Sequence, residues 1–371
     1  MPGHDIIGIG ASAGGVEALS RIVCGLPPDL SASIFIVLHV SPNSPSLLPV
    51  ILNRNGPLHA AHAQDGEAIR RGCIYVAPPD HHLLVKRGYL RVTRGPRENS
   101  SRPAIDPLFR TAALAYSERV VGVVLSGNLD DGTAGLGAIK ARGGLTIVQD
   151  PADALYPGMP RSAIERVAVD HVVPLADLPA LLVRLVSEPA AGDRAEPIPE
   201  DEDTELEADI AEMDPAPDPS GAIPGAPAGF GCSECGGSQY ALSDGEILHF
   251  RSRVGHAWSP DTLLAEQSEA LEAVLWTALP SLEEQAALSG DLTARMLRRD
   301  SPNTAARFEA QEITARRNAE FVRSVLGGAG LKTSVDRAAI NASEHDSTRG
   351  GHAGIATAVQ EETADSPPTE P

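Results

Sequence analysis

Aromatic side chains are scarce in this sequence, at 4% of 371 residues, so its core has to be built from Val, Ile, Leu and Ala. Cysteine is scarcer still. Four cysteines in a chain of this length do not make a disulfide scaffold, and they point to a cytoplasmic protein. Cys24 and Cys73 stand among apolar neighbours and read as inert core thiols. No stretch is long and apolar enough to span a bilayer, and the first residues lack the basic-then-apolar pattern of a secretory leader. Positive charge is in deficit: 30 Lys and Arg face 50 Asp and Glu, a formal charge of −20. This leaves no basic footprint for nucleic acid and no attraction to an anionic membrane.

What is present is an alternation. Runs rich in β-branched residues, "DIIGIG", "SIFIVLHV", "CIYVAPP", "VVGVVLSG" and "LTIVQD", are separated by helix-like segments such as "GGVEALSRIV", "DPLFRTAALAYSE" and "TAGLGAIKARG". Near-continuous apolar strands between helices predict a doubly wound α/β domain, a mostly parallel sheet with helices on both faces, over residues 1–187. Two strand-like runs around Arg87-Gly88 predict a β-hairpin within it. Residues 188–229 are acid-rich and poor in core formers, which predicts a disordered, solvated linker or, as the sharper reading, an acidic docking segment. Residues 230–258 form a compact cysteine-bearing module. Residues 259–327 read as two or three amphipathic helices interrupted at Pro280, packed on one another or on a partner, and 328–371 as a disordered tail.

The glycines around Ser12 admit two chemistries. Gly8-Ile9-Gly10-Ala11-Ser12-Ala13 fits a dinucleotide fingerprint, whereas Gly10-Ala11-Ser12-Ala13-Gly14 fits a turn that lifts a nucleophilic serine. A dinucleotide site needs an acid at the end of the next strand to bind ribose. "SIFIVLHV" carries His39 near that end instead. A serine attacks when a base within hydrogen-bonding reach takes its proton, and His39 supplies one. Set against this, a lone His in an apolar strand is most often a satisfied core residue. A third strand, "VVGVVLSG", leads into a turn with Asp130 and Asp131, so alcohol, imidazole and carboxylate gather at three carboxyl ends of one sheet. Gly14 and Gly15 open a helix directly after Ser12, whose free N–H groups suit an oxyanion.

At this point the chain resembles the chemotaxis protein-glutamate methylesterases, the CheB type, over residues 4 to about 187. The resemblance rests on "IGASAGG", "IVLHVSP", "AQDGEAIRRGCIYVAPPDHHLLV", "SRPAIDPLFRTAA", "LSGNLDDGTAG" and "VQDPADALYPGMP". It implies that Ser12 is the nucleophile, His39 the general base and Asp131, rather than Asp130, the third member. Backbone N–H groups of Ala13 and Asn128 would hold the oxyanion. It also implies a serine carboxylic ester hydrolase acting on glutamyl methyl esters of a chemoreceptor's cytoplasmic helices or of another methylated signalling protein, with glutamine deamidation as a second activity. No cofactor is expected for catalysis. Two positions depart from the family: Ala13 where Thr is common, and Asn128 where Met is common. Well-known members carry a receiver domain before the esterase. With a first strand at about Asp5, this chain is expected to be a stand-alone form. A non-catalytic signalling adaptor that keeps the fold is the rival from another class.

Cys232-Ser233-Glu234-Cys235-Gly236-Gly237 resembles a zinc knuckle, and His256 stands where a second pair should lie. Ser252 occupies the place where modules of this kind carry cysteine, and a serine hydroxyl is a poor zinc ligand. A structural zinc held by Cys232, Cys235 and His256 and a metal-free β-turn module with free thiols both remain open. Arg102, Asp106 and Arg110 read as scaffold rather than groove, and His59, His62, His81 and His82 as non-catalytic, the last two on the surface.

Overall fold

The computed structural model describes residues 3–43, 45–190, 202–212, 225–244 and 247–327. Two compact units divide at Leu263/Leu264. The first opens with β1 (Ile6–Ala11), α1 (Gly15–Cys24), β2 (Ser33–Leu38), α2 (Leu48–Asn55), β3 (His59–His62) and β4 (Cys73–Val76). The predicted hairpin follows as β5 (His82–Lys86) and β6 (Tyr89–Thr93), turning at Arg87-Gly88. Then come α3 (Ile105–Tyr116), β7 (Val120–Val124), α4 (Thr133–Ala141), β8 (Leu145–Gln149), α5 (Gly158–Arg166), β9 (His171–Val173) and α6 (Leu178–Ser187).

Seven of these strands form one sheet in the order β3-β4-β2-β1-β7-β8-β9, every pair parallel. The chain leaves β1 in one direction through β2 and β4 and returns beside β1 as β7. The β1/β7 junction is therefore the topological switch point, where the loops at the strand carboxyl ends diverge and leave a crevice. β1, β2 and β7 are buried along their whole length, because helices cover both faces. On one face Ile7, Ile9, Leu19, Ile22, Leu52 and Leu182 belong to a continuous core, and on the other Val37, Leu108, Phe109, Val124 and Ile139 do.

The two glycines of β1 lie on the α3 side, and their role is packing. A Cβ on Gly10 would stand 2.4 Å from Ile105 Cγ2, and one on Gly8 3.0 Å from the Phe109 ring. The G-x-G pattern thus lets α3 approach the sheet, which accounts for it without a pyrophosphate.

Four expectations need correction. The acid-rich segment is not spacer throughout: Glu202–Glu212 is a helix, α7, with Thr204, Glu207, Ala208 and Ala211 buried. Glu207 pairs with Arg110 of α3 at 3.2 Å and with Arg251 at 3.2 Å. One acid finding two buried cations outweighs a composition that favours solvent. The rest of the expected linker, and the 328–371 tail, lie outside the described residues. The cysteine-bearing module, β10 (Ala226–Gly231), β11 (Ser238–Asp244), β12 (Ile247–Ser252) and β13 (Ala257–Trp258), is an antiparallel sheet within the first unit. Cys24 is exposed and Cys73 half-buried, whereas His82 is fully buried, accepting from Ala104 N–H and bonded to Pro96 O at 2.8 Å.

The helices that follow are α8 (Pro260–Arg298) and α9 (Pro302–Gly327). α8 runs through Pro280 without a break, which corrects the fourth expectation. Leu275, Leu279 and Leu282 on either side of the proline pack with Ala319, Val322 and Leu326 of α9, and that apolar contact holds the helix across the missing N–H.

Gly10→Val should overpack the β1/α3 contact and lower stability by about 1–3 kcal/mol. Urea unfolding of the purified chain checks this, and the cost should shrink when Ile105→Ala is added to make room.

Candidate active site

Ser12 is placed by the sheet. Its N–H donates to Ser126 O at 3.0 Å on the β7 side, and Gly15 N–H donates to Ser12 O at 2.9 Å, closing the turn into α1. Gly14 makes that turn with φ +75°, a conformation that a side chain would resist, and a Cβ there would press on Ser126 Oγ and Leu155. On the other side the β1/β2 register ends at Ala11↔Leu38, and His39 N–H donates to Ala11 O at 3.1 Å. Ser12 and His39 are thus the next positions on adjacent parallel strands, about 4.8 Å apart along the hydrogen-bonding direction.

His39 Nε2 bonds Asp131 Oδ2 at 2.7 Å. That leaves Nδ1 as the nitrogen able to accept a proton from the serine. Ser12 and His39 are not hydrogen-bonded to each other here, a looseness common at catalytic pairs without substrate. Asp131 is buried in the loop between β7 and α4, 92 residues beyond His39 in the chain. Besides the imidazole, its Oδ2 accepts from Ile105 N–H at 2.7 Å and its Oδ1 from Asn99 Nδ2 at 3.0 Å. Burial alone would push its carboxyl up, but the His39 bond and charge, with the Ile105 and Asn99 donors, outweigh it and hold the group down at about 2.

Asp106 stands behind this carboxylate and shares the Asn99 amide, at 3.1 Å from Nδ2. Burial and the neighbouring Asp131 charge push its carboxyl well above the usual range. Two carboxyls so close cannot both ionise freely, and the one bonded to His39 takes the charge. Asp130, by contrast, belongs to a different contact. Its oxygens accept from Ser259 Oγ at 2.6 Å, Thr262 Oγ1 at 3.0 Å and Arg166 at 2.6 Å.

The loop after β7 closes against Ser12. A Cβ on Gly127 would fall 2.8 Å from Ser12 Cβ, so this backbone lies directly against Ser12, and Asn128 is the next residue. Neither Ala13 N–H nor Asn128 N–H finds an acceptor among the described residues. Among the described residues Asn128 Nδ2 is also buried without a partner.

Residues 7–182 match a family model described as CheB methylesterase. A protein of Leptospira interrogans named as a putative protein-glutamate methylesterase/protein-glutamine glutaminase is 41% identical over 183 residues, covering 49% of this chain and 95% of the relative. The chain belongs to the CheB methylesterase family. A protein-glutamate methylesterase/protein-glutamine glutaminase of Pyrococcus abyssi is 37% identical over 190 residues, 50% of this chain and 52% of that one. The chain therefore spans about half the length of that relative. A crystal structure of the Thermotoga maritima CheB methylesterase catalytic domain is 34% identical, covering 98% of that chain and 49% of this one at a TM-score of 0.48.

Within this CheB domain, Arg102 and Arg110 are scaffold. Arg102 clasps Asp80 and Gly95 O, and Arg110 forks both oxygens of Glu98 at 2.6–2.7 Å. His62 bonds Ser46 O at 3.2 Å and His81 bonds Pro79 O at 2.9 Å, apart from the site. Sequence reading missed two residues. Ser126 donates to Ala13 O at 2.8 Å and accepts from Tyr156 N–H at 2.9 Å, tying the serine turn to the loop before α5. Asn99, at φ +49°, supports Asp131 from a loop whose sequence, "RENSSRP", carries no catalytic signature.

Asp131 has a depressed carboxyl, so its stabilisation is present above the ordinary value of 3.8 and drains as pH falls towards 2. Urea melts of wild type and Asp131→Asn should differ by on the order of 2 kcal/mol at pH 6, the gap closing on acidification. Labelling of Ser12 by a fluorophosphonate should slow by about 100-fold or more in Asp131→Asn, where the imidazole loses its partner. Asp106→Asn should label at nearly the wild-type rate.

Proposed function

We propose that the CheB domain is a serine hydrolase that removes methyl esters from glutamyl side chains of chemoreceptor cytoplasmic helices or of another methylated signalling protein. The observation that carries this reading is the 2.7 Å His39–Asp131 bond, with Ser12 at the adjoining strand end. The names of the relatives, protein-glutamate methylesterase/protein-glutamine glutaminase, support the same reaction.

In the first half-reaction Ser12 Oγ attacks the ester carbonyl carbon while His39 Nδ1 takes the hydroxyl proton. Asp131, already ionised, fixes the tautomer and offsets the charge of the imidazolium. The carbonyl oxygen becomes an oxyanion held by the N–H groups of Ala13 and Asn128, which have no competing acceptor among the described residues. The C–O bond to methanol breaks as His39 returns its proton to the leaving oxygen. In the second half-reaction water repeats the attack on the acyl-Ser12, and glutamate is released. A glutamine side chain would follow the same course with ammonia leaving, which gives deamidation from one pocket. The unpaired Asn128 amide adds a polar donor beside the nucleophile, where the family commonly has a methionine.

Methylated receptor fragments should release methanol with the wild-type chain. Ser12→Ala should reduce that release by at least about 1,000-fold while its circular dichroism and melting stay unchanged. Undiminished release by that variant would refute the assignment. No release by a folded wild-type chain would leave the adaptor reading.

A further inference from the structure

The module β10–β13 brings three metal-ligating side chains to one point, outside the segment that matches the CheB family model. Cys232 Sγ, Cys235 Sγ and a ring nitrogen of His256 all lie within 4.8 Å of one another. Cys232 Sγ is 3.7 Å from His256 Nδ1. A tetrahedral zinc with bonds of about 2.3 Å to sulfur and about 2.0 Å to nitrogen separates its ligand atoms by roughly 3.5–3.8 Å. The surroundings are those of a ligand shell. Gly236, at φ +69°, turns the chain between the thiols, Gly236 N–H donates to Cys232 O and Trp258 Nε1 donates to Cys232 Sγ at 3.4 Å. Glu234 Oε2 sits 3.7 Å from His256 Nε2, the carboxylate–imidazole arrangement that aims the opposite nitrogen at a metal. Ser252 is buried beside these ligands, and its hydroxyl accepts from His256 N–H at 3.1 Å.

We propose that Cys232, Cys235 and His256, closed by the Ser252 hydroxyl or a water, bind one zinc-class divalent cation, and that its occupancy holds the esterase triad in register. Among the described residues the module has a small core, Cys232 and Trp258 with Phe250 and, from α8, Leu263, which a metal would reinforce. The second clause rests on the methylesterase reading and on an unbroken path. Arg97 pairs with Glu234 at 2.9 Å, and Ala257, the residue after the ligand His256, exchanges backbone bonds with Arg97 O at 3.2 Å and Asn99 N–H at 2.9 Å. Ser259 N–H then fixes Asn99 Oδ1 at 2.8 Å, and Asn99 Nδ2 holds Asp131 at 3.0 Å. The metal fixes His256, His256 fixes Ala257, and Ala257 fixes the asparagine that supports the catalytic carboxylate. Asn99 is in this sense a positioning residue.

The full chain, equilibrated with zinc and desalted, should carry about one equivalent by elemental analysis. Cobalt(II) should give thiolate-to-metal absorption that Cys235→Ser loses. Ser252→Cys, which supplies a fourth strong ligand, should retain zinc at chelator concentrations at least about tenfold higher than wild type. If Cys235→Ser fails to fold, the cobalt spectrum and Ser252→Cys still decide. A folded wild type with neither bound metal nor cobalt absorption, or with Cys232 and Cys235 joined as a disulfide under reducing purification, overturns the site. For the coupling, chelation should lower kcat for methanol release by about 10- to 100-fold with little change in KM, and added zinc should restore it. Ser252→Cys should resist the same treatment. An unchanged kcat in metal-free, folded protein overturns the coupling. Absence of methanol release in every state overturns the esterase reading alone and leaves the metal result standing.

Discussion

A buried negative charge organises this molecule. Asp131 lies out of reach of water, and an ionised carboxylate there costs several kcal/mol unless the protein supplies the donors that water would have supplied. It does so from three directions: an imidazole from the β2 end, a backbone N–H at the start of α3 and a side-chain amide from the loop before it. Each donor is useful only if its segment sits where the fold puts it. The carboxylate therefore both engages His39 Nε2, leaving Nδ1 free, and ties the α3 N-terminus against the sheet. Asp106 shows the other side of the same constraint. It shares a donor with Asp131, and two charges in that volume would repel, so it yields its ionisation to the group with the imidazole.

The same logic extends to the C-terminal half of the first unit. Asp130, adjacent to Asp131, is clasped by Ser259, Thr262 and Arg166, and Arg166 also pairs with Asp261. Glu98, one residue before Asn99, lies among Arg110, Arg251 and, through them, Glu207 of α7. Buried acids and arginines thus join the CheB domain, the acid-rich segment and the cysteine module around the loop that supports Asp131. Breaking one member of such a cluster leaves its partners charged and unsolvated, which makes the assembly cooperative. A segment beyond the family match thus supplies part of the support for Asp131, through Ser259 and Asn99.

Much of the fold was legible because periodicity reports burial directly. "DIIGIG" and "VVGVVLSG" are apolar without alternation, and only a strand covered on both faces asks for that. The turn at Ser12 was legible because glycine is required where φ is positive and where helices press on the sheet. Other features were hidden for specific reasons. Asn99 and Ser126 act through hydrogen bonds to residues far along the chain, and nothing in "RENSSRP" or "LSGN" distinguishes such bonds from a solvated loop. α7 was hidden because acidic composition predicts solvent on average, whereas Glu207 meets two arginines that come from elsewhere in the sequence. Cys24 and His82 were assigned to core and surface from their neighbours in sequence, and their neighbours in space reversed both.

Sequence alone determined the parallel sheet, the serine turn and the residue types available at three strand ends, because strand burial, left-handed glycine turns and family motifs are local properties. Only the tertiary structure decided which of two adjacent aspartates faces His39, which of two neighbouring carboxyls is pushed up and which held down, and that the segment after the cysteine module bonds the loop supporting Asp131. Those outcomes depend on distances of 2.6–3.1 Å between groups as much as 160 residues apart, such as Asn99 and Ser259. Hydrogen bonding and Coulomb energy are set by separation in space, and no pattern along a chain encodes that separation.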